Sequence, residues 1–321
     1  MKLSVFLAVS LIALAGCRDG RPVRLILDTD LESDVDDVGA IAVLHALADR
    51  GEVEILATMV SSNNEHSPAC LGALNAYYGR PDLPIGQVRA HAVGRPSRYA
   101  EQIAKEFSHN VGEDVPDATK LYREILAKQP DRSVVICTIG YLTNLRNLLE
   151  SLPDEISDLD GPTLVARKVK LWVCMGGQYP KARDRQSNFK FDGDSAHVAV
   201  RDWPAPIAFC GYEIGVKIDA GSSLRNTPKS NPVRRAYELF NDLQDRHSWD
   251  QTAVLYAVRG AGDIWDEQTR GYNHVTADGA NEWRPIPDKD HVYLIQGMSP
   301  DAVAAILSDL MIQPPGGASQ R

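Results

Sequence analysis

Cysteine is scarce in this chain of 321 residues: there are five, and no two form a CxxC pair. That absence removes the usual zinc-ribbon and dithiol redox motifs. Positive charge is also short. Lys and Arg number 34 against 43 Asp and Glu, a net charge of −9 with a pI near 5.4, which argues against nucleic acid as a partner. A neutral or cationic small ligand, or one bridged by a metal, suits that balance better. No Gly-rich loop of the Walker type ends in Lys, so the commonest phosphate cradle is missing. No internal repeat is present, and no linker divides the chain. After the N-terminal segment, no uninterrupted apolar run approaches the ~18 residues of a membrane span. What remains is 44% hydrophobic and 24% charged, a globular composition with ample core.

The N-terminus reads as a targeting segment. Lys2 precedes a largely apolar stretch from Leu3 to Leu14, too short for a comfortable transmembrane helix. Leu14-Ala15-Gly16-Cys17 resembles a bacterial lipobox. The resemblance implies a signal peptide over 1–16, cleavage before Cys17, lipid on the Cys17 thiol, and a lipid-anchored linker over 17–22. An ordinary secretory signal is the blander reading. Arg18 follows the cysteine where an Asp would commonly retain such proteins at the inner membrane. By that analogy the expected location is an exported lipoprotein of the outer membrane, facing the periplasm. Of the other cysteines, Cys137, Cys174 and Cys210 lie in apolar strand-like segments, and Cys70 lies in a helical one. All four read as small buried side chains.

The richest feature is the run LILDTDLESDVDDVGAI. Six of the ten residues from Asp28 to Asp37 are acidic: Asp28, Asp30, Glu32, Asp34, Asp36 and Asp37. An apolar segment, Leu25 to Leu27, leads in, and a helical pattern of Val38, Ile41, Leu44 and Leu47 leads out. The acids therefore occupy a strand end and the loop that opens a helix, the edge where open α/β sheets bind ligands. Packed carboxylates repel unless a cation or shared protons compensate. An oxygen-seeking ion such as Ca²⁺ or Mg²⁺ is the economical explanation. A solvated acidic turn with a helix cap accounts for one or two acids, but not for Asp28 and Asp30 at the end of an apolar strand. An EF-hand fails on register, because Ser33 falls at loop position 6 and Gly39 at position 12. Any metal must recruit ligands from elsewhere in the chain.

Strands are predicted over 23–27, 53–60, 133–139, 169–175, 206–210 and 291–295. Helices are predicted over 38–49, 68–79, 117–129, 142–151, 194–202, 233–243, 250–260 and 300–311. Their alternation implies a largely parallel sheet covered on both faces. Stretches 80–116 and 178–193 read as loops or lids, and 312–321 as a flexible tail.

In this order the chain resembles the inosine–uridine-type nucleoside hydrolases, whose first strand ends in a DTDPGxDDxxAI-like motif. The matching residues are Asp28-Thr29-Asp30, Asp36-Asp37 and Ala40-Ile41. The resemblance spans 23–311 and implies a single α/β domain, Rossmann-like, with Ca²⁺ at the strand C-ends and a homodimer or homotetramer as the assembly. It assigns Asp30 to the metal and to general-base catalysis on the attacking water. Asp37 joins as a metal ligand, with the carbonyl of Thr143 in Leu142-Thr143-Asn144 and with Asp250 in Ser248-Trp249-Asp250. Asp36 would bond the ribose hydroxyls, with Asn63, Gln186 and Asn188 completing the substrate contacts. The implied reaction is metal-dependent hydrolysis of the N-glycosidic bond of a ribonucleoside or related riboside. A metal and a base that place water against the sugar lower the barrier that oxocarbenium development raises.

Three departures from the family pattern stand out. The acidic loop is two residues longer and adds Asp34, which competes with Asp36 and Asp37 for their roles, and Asp28 is a further candidate. Gln186 stands where the family has Glu. Trp249 stands where the family often has a His that protonates the leaving group; Trp cannot donate that proton but can stack on a base. His66 and His247 are candidate substitutes, though each reads equally as a surface or capping residue. Tyr212, Glu213, Tyr179, Trp265 and Trp283 remain unassigned. The competing readings are a non-catalytic sugar- or nucleoside-binding lipoprotein and a hydrolase of a different glycoside.

Overall fold

The computed structural model describes residues 21–112 and 114–316. The lipobox-like segment with Cys17, and the signal peptide before it, lie outside the described residues. From its N-terminal end the domain opens with β1 (Val23–Thr29), α1 (Asp36–Asp49), β2 (Val53–Val60), α2 (Ser67–Tyr77) and a short β3 (Ile85–Gln87). Helices α3 (Ala100–Glu106) and α4 (Ala118–Lys128) lead to β4 (Val134–Thr138). Helices α5 (Thr143–Leu149) and α6 (Gly161–Lys168) precede β5 (Val169–Met175). Helices α7 (Ser187–Lys190) and α8 (Gly193–Asp202) precede β6 (Ile207–Cys210). After α9 (Tyr212–Gly215), the two-residue strands β7 (Asp219–Ala220) and β8 (Arg246–His247) flank α10 (Pro232–Asn241). The chain ends through α11 (Trp249–Arg259), β9 (Trp265–Gln268), the hairpin β10 (Tyr272–Val275) and β11 (Asn281–Arg284), β12 (His291–Gln296) and α12 (Pro300–Met311).

Eight strands form one sheet in the order β3-β2-β1-β4-β5-β6-β12-β9. All neighbours pair in parallel except β12 and β9. Strand alternation sorts the side chains into two cores. Leu25, Leu27, Val135, Cys137 and Cys210 pack on the face covered by α1, α2, α11 and α12. Ile26, Ile136, Trp172, Cys174 and Phe209 pack on the other face, with residues of α4, α5, α6 and α8. A single α/β domain with a mostly parallel sheet is thus what the alternation builds. Cys70, Cys137, Cys174 and Cys210 are buried free thiols.

The eight anticipated helices form within a few residues of their expected limits. The anticipated loops over 80–116 and 178–193 also hold short structure, namely β3, α3 and α7. Helix α6 was missed although Asp160 caps it and Pro162 sits in its first turn, a readable start signal.

Two close approaches position the site. In α1, a side chain at Gly39 would meet the Gln251 amide of α11 at 2.4 Å and the Tyr237 hydroxyl at 2.6 Å, so the two helices come together one turn from their N-termini. After β4, a Cβ at Gly140 would lie 2.3 Å from the backbone nitrogen of Asp30. Backbone there cannot yield cheaply. Gly140→Ala is therefore expected to lower stability by about 1–3 kcal/mol. A urea melt of the purified domain checks this, and an unchanged midpoint would refute the packing argument.

Candidate functional site

Strand β1 has β2 on one side and β4 on the other, and the connections run outward in opposite directions from it. This is the switch point of the sheet, where a crevice opens beyond the strand C-ends. The chain leaves β1 through Thr29 and Asp30 and turns at Leu31, a buried residue with φ of 48°. A left-handed Leu costs on the order of 1 kcal/mol, and neighbours hold it. The Leu31 N–H donates to Asp37 at 3.3 Å, the Ser67 hydroxyl donates to the Leu31 carbonyl at 2.9 Å, and the Ser62 hydroxyl donates to the Asp30 carbonyl at 2.7 Å.

The acids then part company. Asp28 faces inward and accepts from the Tyr122 hydroxyl at 2.8 Å and from the Asn144 amide at 3.1 and 3.2 Å. Burial pushes its carboxyl up to about 7 despite those donors, and it serves as an anchor beneath the site. Glu32 accepts from the Tyr141 hydroxyl and from the Arg95 backbone N–H at 2.8 Å, tying the acidic loop to the loop after β3. Asp34 turns outward to Arg246, which donates to it through Nε at 2.9 Å and Nη2 at 2.5 Å. With both side chains near one-third exposed, the pair adds at most about 1 kcal/mol. Its geometric effect is larger, because it clamps the long loop to the segment that carries Trp249 and Asp250.

Asp36, Asp37 and Asp250 remain. All three are buried, and each offers an oxygen within 4.8 Å of the others. Asp36 and Asp37 lie in the first turn of α1 and Asp250 in the first turn of α11, so two helix N-termini face the cluster with their positive ends. Thr29 donates its hydroxyl to Asp37, and the Asp250 N–H donates to Asp36 at 3.2 Å. Asp30 adjoins this trio at 6% exposure. Burial, and then the charges of Asp37, Glu32 and Asp36, raise its carboxyl well above the usual range. Burial and neighbouring carboxylates act likewise on Asp36 and Asp250. Burial lifts Asp37 to about 7. Oxygen-only donors, crowded and without a basic partner inside the trio, are a donor set suited to a hard cation.

The acids floor a cleft of about 260 Å³ lined by Asp30, Asp34, Asp36, Asp37 and Asp250 below and by Tyr212, Arg246 and Trp249 on one wall. Its size lies near the low end of the ~300–1,000 Å³ of small-molecule sites. Asn188 lines the cleft, held by hydrogen bonds from its amide to the carbonyls of Ile139 at 3.0 Å and Met175 at 3.1 Å. Gln186 lines it too, with its amide on the Asp184 carbonyl at 2.9 Å. The Trp249 indole donates to the Tyr212 carbonyl at 3.0 Å and stacks on the Tyr212 ring at 5.5 Å.

Other anticipated residues sit elsewhere. Asn63 is exposed and packs over Gly94, outside the lining. Thr143 is buried, does not line the cleft, and gives its hydroxyl to Asp192, the cap of α8. His66 pairs with Glu65 at 3.7 Å, and His247 pairs with Asp219 at 2.7 Å behind Trp249. Neither histidine reaches the lining. Arg246, Arg95, Ser33 and Ser187 line the cleft unanticipated. Ser33, Ser187 and Arg246 adjoin matched motifs in sequence, whereas Arg95 adjoins none.

Fold and site together define a class: an α/β protein with buried carboxylates able to hold a metal at the switch point of a parallel sheet. The chain belongs to the inosine-uridine preferring nucleoside hydrolase family, whose model matches residues 25–302. It is accordingly an N-glycosyl hydrolase of a metal-dependent family. No curated protein sequence matches it significantly. Among solved structures, a plant nucleoside hydrolase aligns at TM-score 0.69 with 17% identity, covering 91% of this chain and 100% of that one. A purine-preferring ribonucleoside hydrolase from Gardnerella vaginalis aligns at 0.68 with 18% identity, covering 90% and 98%. An inosine-uridine preferring nucleoside hydrolase from Bacillus anthracis aligns at 0.69 with 14% identity, covering 90% and 99%. At these identities the likeness is one of fold.

A pH test follows from the raised carboxyls. In the unfolded chain they ionise near 3.8, and in the folded chain Asp37 ionises near 7. Without cation, stability is fully present below the lower value and falls as pH rises through the upper one. A cation binds the ionised form, so Ca²⁺ should raise Tm far more at pH 8 than at pH 5. Equal gains at both pH values, read by thermal melts, would remove the cluster as a metal site.

Proposed function

We propose that this protein hydrolyses the N-glycosidic bond of ribonucleosides or related ribosides with Ca²⁺ as its ion. The observation that carries the reading is the Asp36–Asp37–Asp250 trio with Asp30 beside it on the floor of a small cleft. The trio would hold the ion, which when bound supplies a Lewis acid that acidifies water and gathers the sugar diol. Asp30, next to the trio but not in it, takes the proton from the attacking water at its carboxylate. Asn188, locked by two carbonyls, and Gln186 orient the sugar from elsewhere in the lining.

Trp249 and Tyr212 offer stacked faces to a base. No histidine among the described residues lines the cleft. On this reading the departing base is not protonated by histidine. Arg246 uses Nε and Nη2 on Asp34, which leaves Nη1 to hydrogen-bond a base that departs with negative charge. The lipobox-like segment would anchor the enzyme through Cys17 at the outer membrane facing the periplasm, where it meets nucleosides arriving from outside. The family's homodimer or homotetramer is the proposed assembly.

Release of reducing sugar from a nucleoside panel, with Ca²⁺ and then with chelator, tests the reaction. Asp30→Asn is expected to lower kcat by about 10²–10⁴-fold, while calorimetry finds Ca²⁺ and substrate still bound within about tenfold. Asp37→Asn should instead weaken Ca²⁺ itself. A wild-type protein that binds nucleoside with Ca²⁺ yet releases no sugar from any of them would favour the binding-protein reading.

A further inference from the structure

The cleft has an acidic floor but a basic rim. The segment 181–190 carries Lys181, Arg183, Arg185 and Lys190 against the single acid Asp184, in a chain of net charge −9. Three of its residues, Gln186, Ser187 and Asn188, line the cleft, and Arg95 joins them from the loop after β3.

Arg95 differs from the other arginines about the site. Arg246 is paired with Asp34, and Arg185 with Asp278 at 3.4 Å. The Arg95 guanidinium makes no ion pair with a carboxylate among the described residues. Glu32 is near enough to feel the charge of the guanidinium, but its hydrogen bonds come from the Arg95 backbone N–H and the Tyr141 hydroxyl. The guanidinium instead lies 4.3 Å over the ring of Phe191. Lys190 also approaches that ring, at 5.5 Å. Phe191 is 36% exposed, an uncommon place for a large apolar ring, and it rests edge-on against Tyr141. A ring that stacks a guanidinium fixes its plane and leaves its N–H edge free. That edge matches a phosphate or carboxylate in two-pronged fashion, at less entropic cost than a free side chain.

We propose that Arg95 is a specificity-determining residue that receives an oxyanion, phosphate or carboxylate, carried by the riboside whose sugar sits over the acidic floor. The inference rests on the riboside-hydrolase reading and narrows its substrate class to anionic ribosides. An anion nearing five lining carboxylates is repelled unless a cation in the lining selects it, and Arg95 supplies that cation. The oxyanion belongs either to the sugar, as a 5′-phosphate, or to the departing base, as a ring carboxylate.

The test is the ratio of kcat/KM for an anionic riboside to that for its neutral parent, in the wild type, Arg95→Ala and Arg95→Lys, with Ca²⁺ present. One arm compares a nucleoside 5′-monophosphate with its nucleoside. The other compares a carboxylated pyrimidine riboside with uridine. The expected result is a wild-type ratio above one in one arm that falls tenfold or more in Arg95→Ala and recovers in part in Arg95→Lys. That ratio should also fall with added salt in the wild type but hardly in Arg95→Ala, a dependence that a merely structural role would not produce. The arm that responds identifies the oxyanion's source. Ratios below one in both arms, unmoved by either substitution, overturn the proposal. If no riboside is cleaved at all, the hydrolase reading fails first. Calorimetry with ribose 5-phosphate against ribose then decides Arg95: a tenfold weaker phosphate preference in Arg95→Ala upholds the oxyanion site, and an equal preference overturns it.

Discussion

Mutual repulsion among buried carboxylates is the constraint on which the rest of this molecule depends. Asp30, Asp36, Asp37 and Asp250 lie nearly out of water, where like charges interact far more strongly than at a surface. The fold answers in three ways. Asp28 is surrounded by hydroxyl and amide donors and kept out of the cleft. Asp34 is led outward to a guanidinium. Asp36, Asp37 and Asp250 are set at two helix N-termini, where backbone N–H groups and dipoles offset part of the repulsion. What those devices leave uncompensated is what bound protons or a hard cation would neutralise.

Helix packing makes that concentration of charge geometrically feasible. Gly39 lets α1 and α11 meet close to their N-termini, and Gly140 lets the end of β4 press against the backbone of Asp30. Acids from opposite ends of the sequence thereby share one centre. The ion pair between Asp34 and Arg246 and the hydrogen bond from the Tyr99 hydroxyl to the Asp34 carbonyl at 2.7 Å hold the longer loop in the same register. The two additional loop residues thus act as a brace on the site. They also bring Arg246 into the wall beside Trp249, in a cleft that no histidine among the described residues lines.

Much of the architecture was legible because parallel strands and covering helices carry strong periodic signals. The acidic run after β1 was legible because its residue types are costly to bury without purpose, whereas the LTN and SWD segments were legible only through the family resemblance. Short elements were not. Strand β3 and the hairpin β10–β11 span three and four residues a strand, and such pieces exist only through partners supplied by the rest of the fold. Side-chain direction was equally hidden. Asn63 follows a strand as a ligand-binding Asn would, yet it turns outward onto Gly94.

By itself the sequence determined the α/β class, the place of the acids at a strand end, and the chemistry such acids demand, because those follow from local periodicity and the cost of burying charge. Only the tertiary structure decided which carboxylates converge. It drew Asp250 to Asp36 and Asp37, sent Asp28 and Asp34 to other partners, and set Arg95 and Arg246 on the walls. Those outcomes depend on helix approach and on ion pairs across more than two hundred residues, distances over which no local pattern carries information.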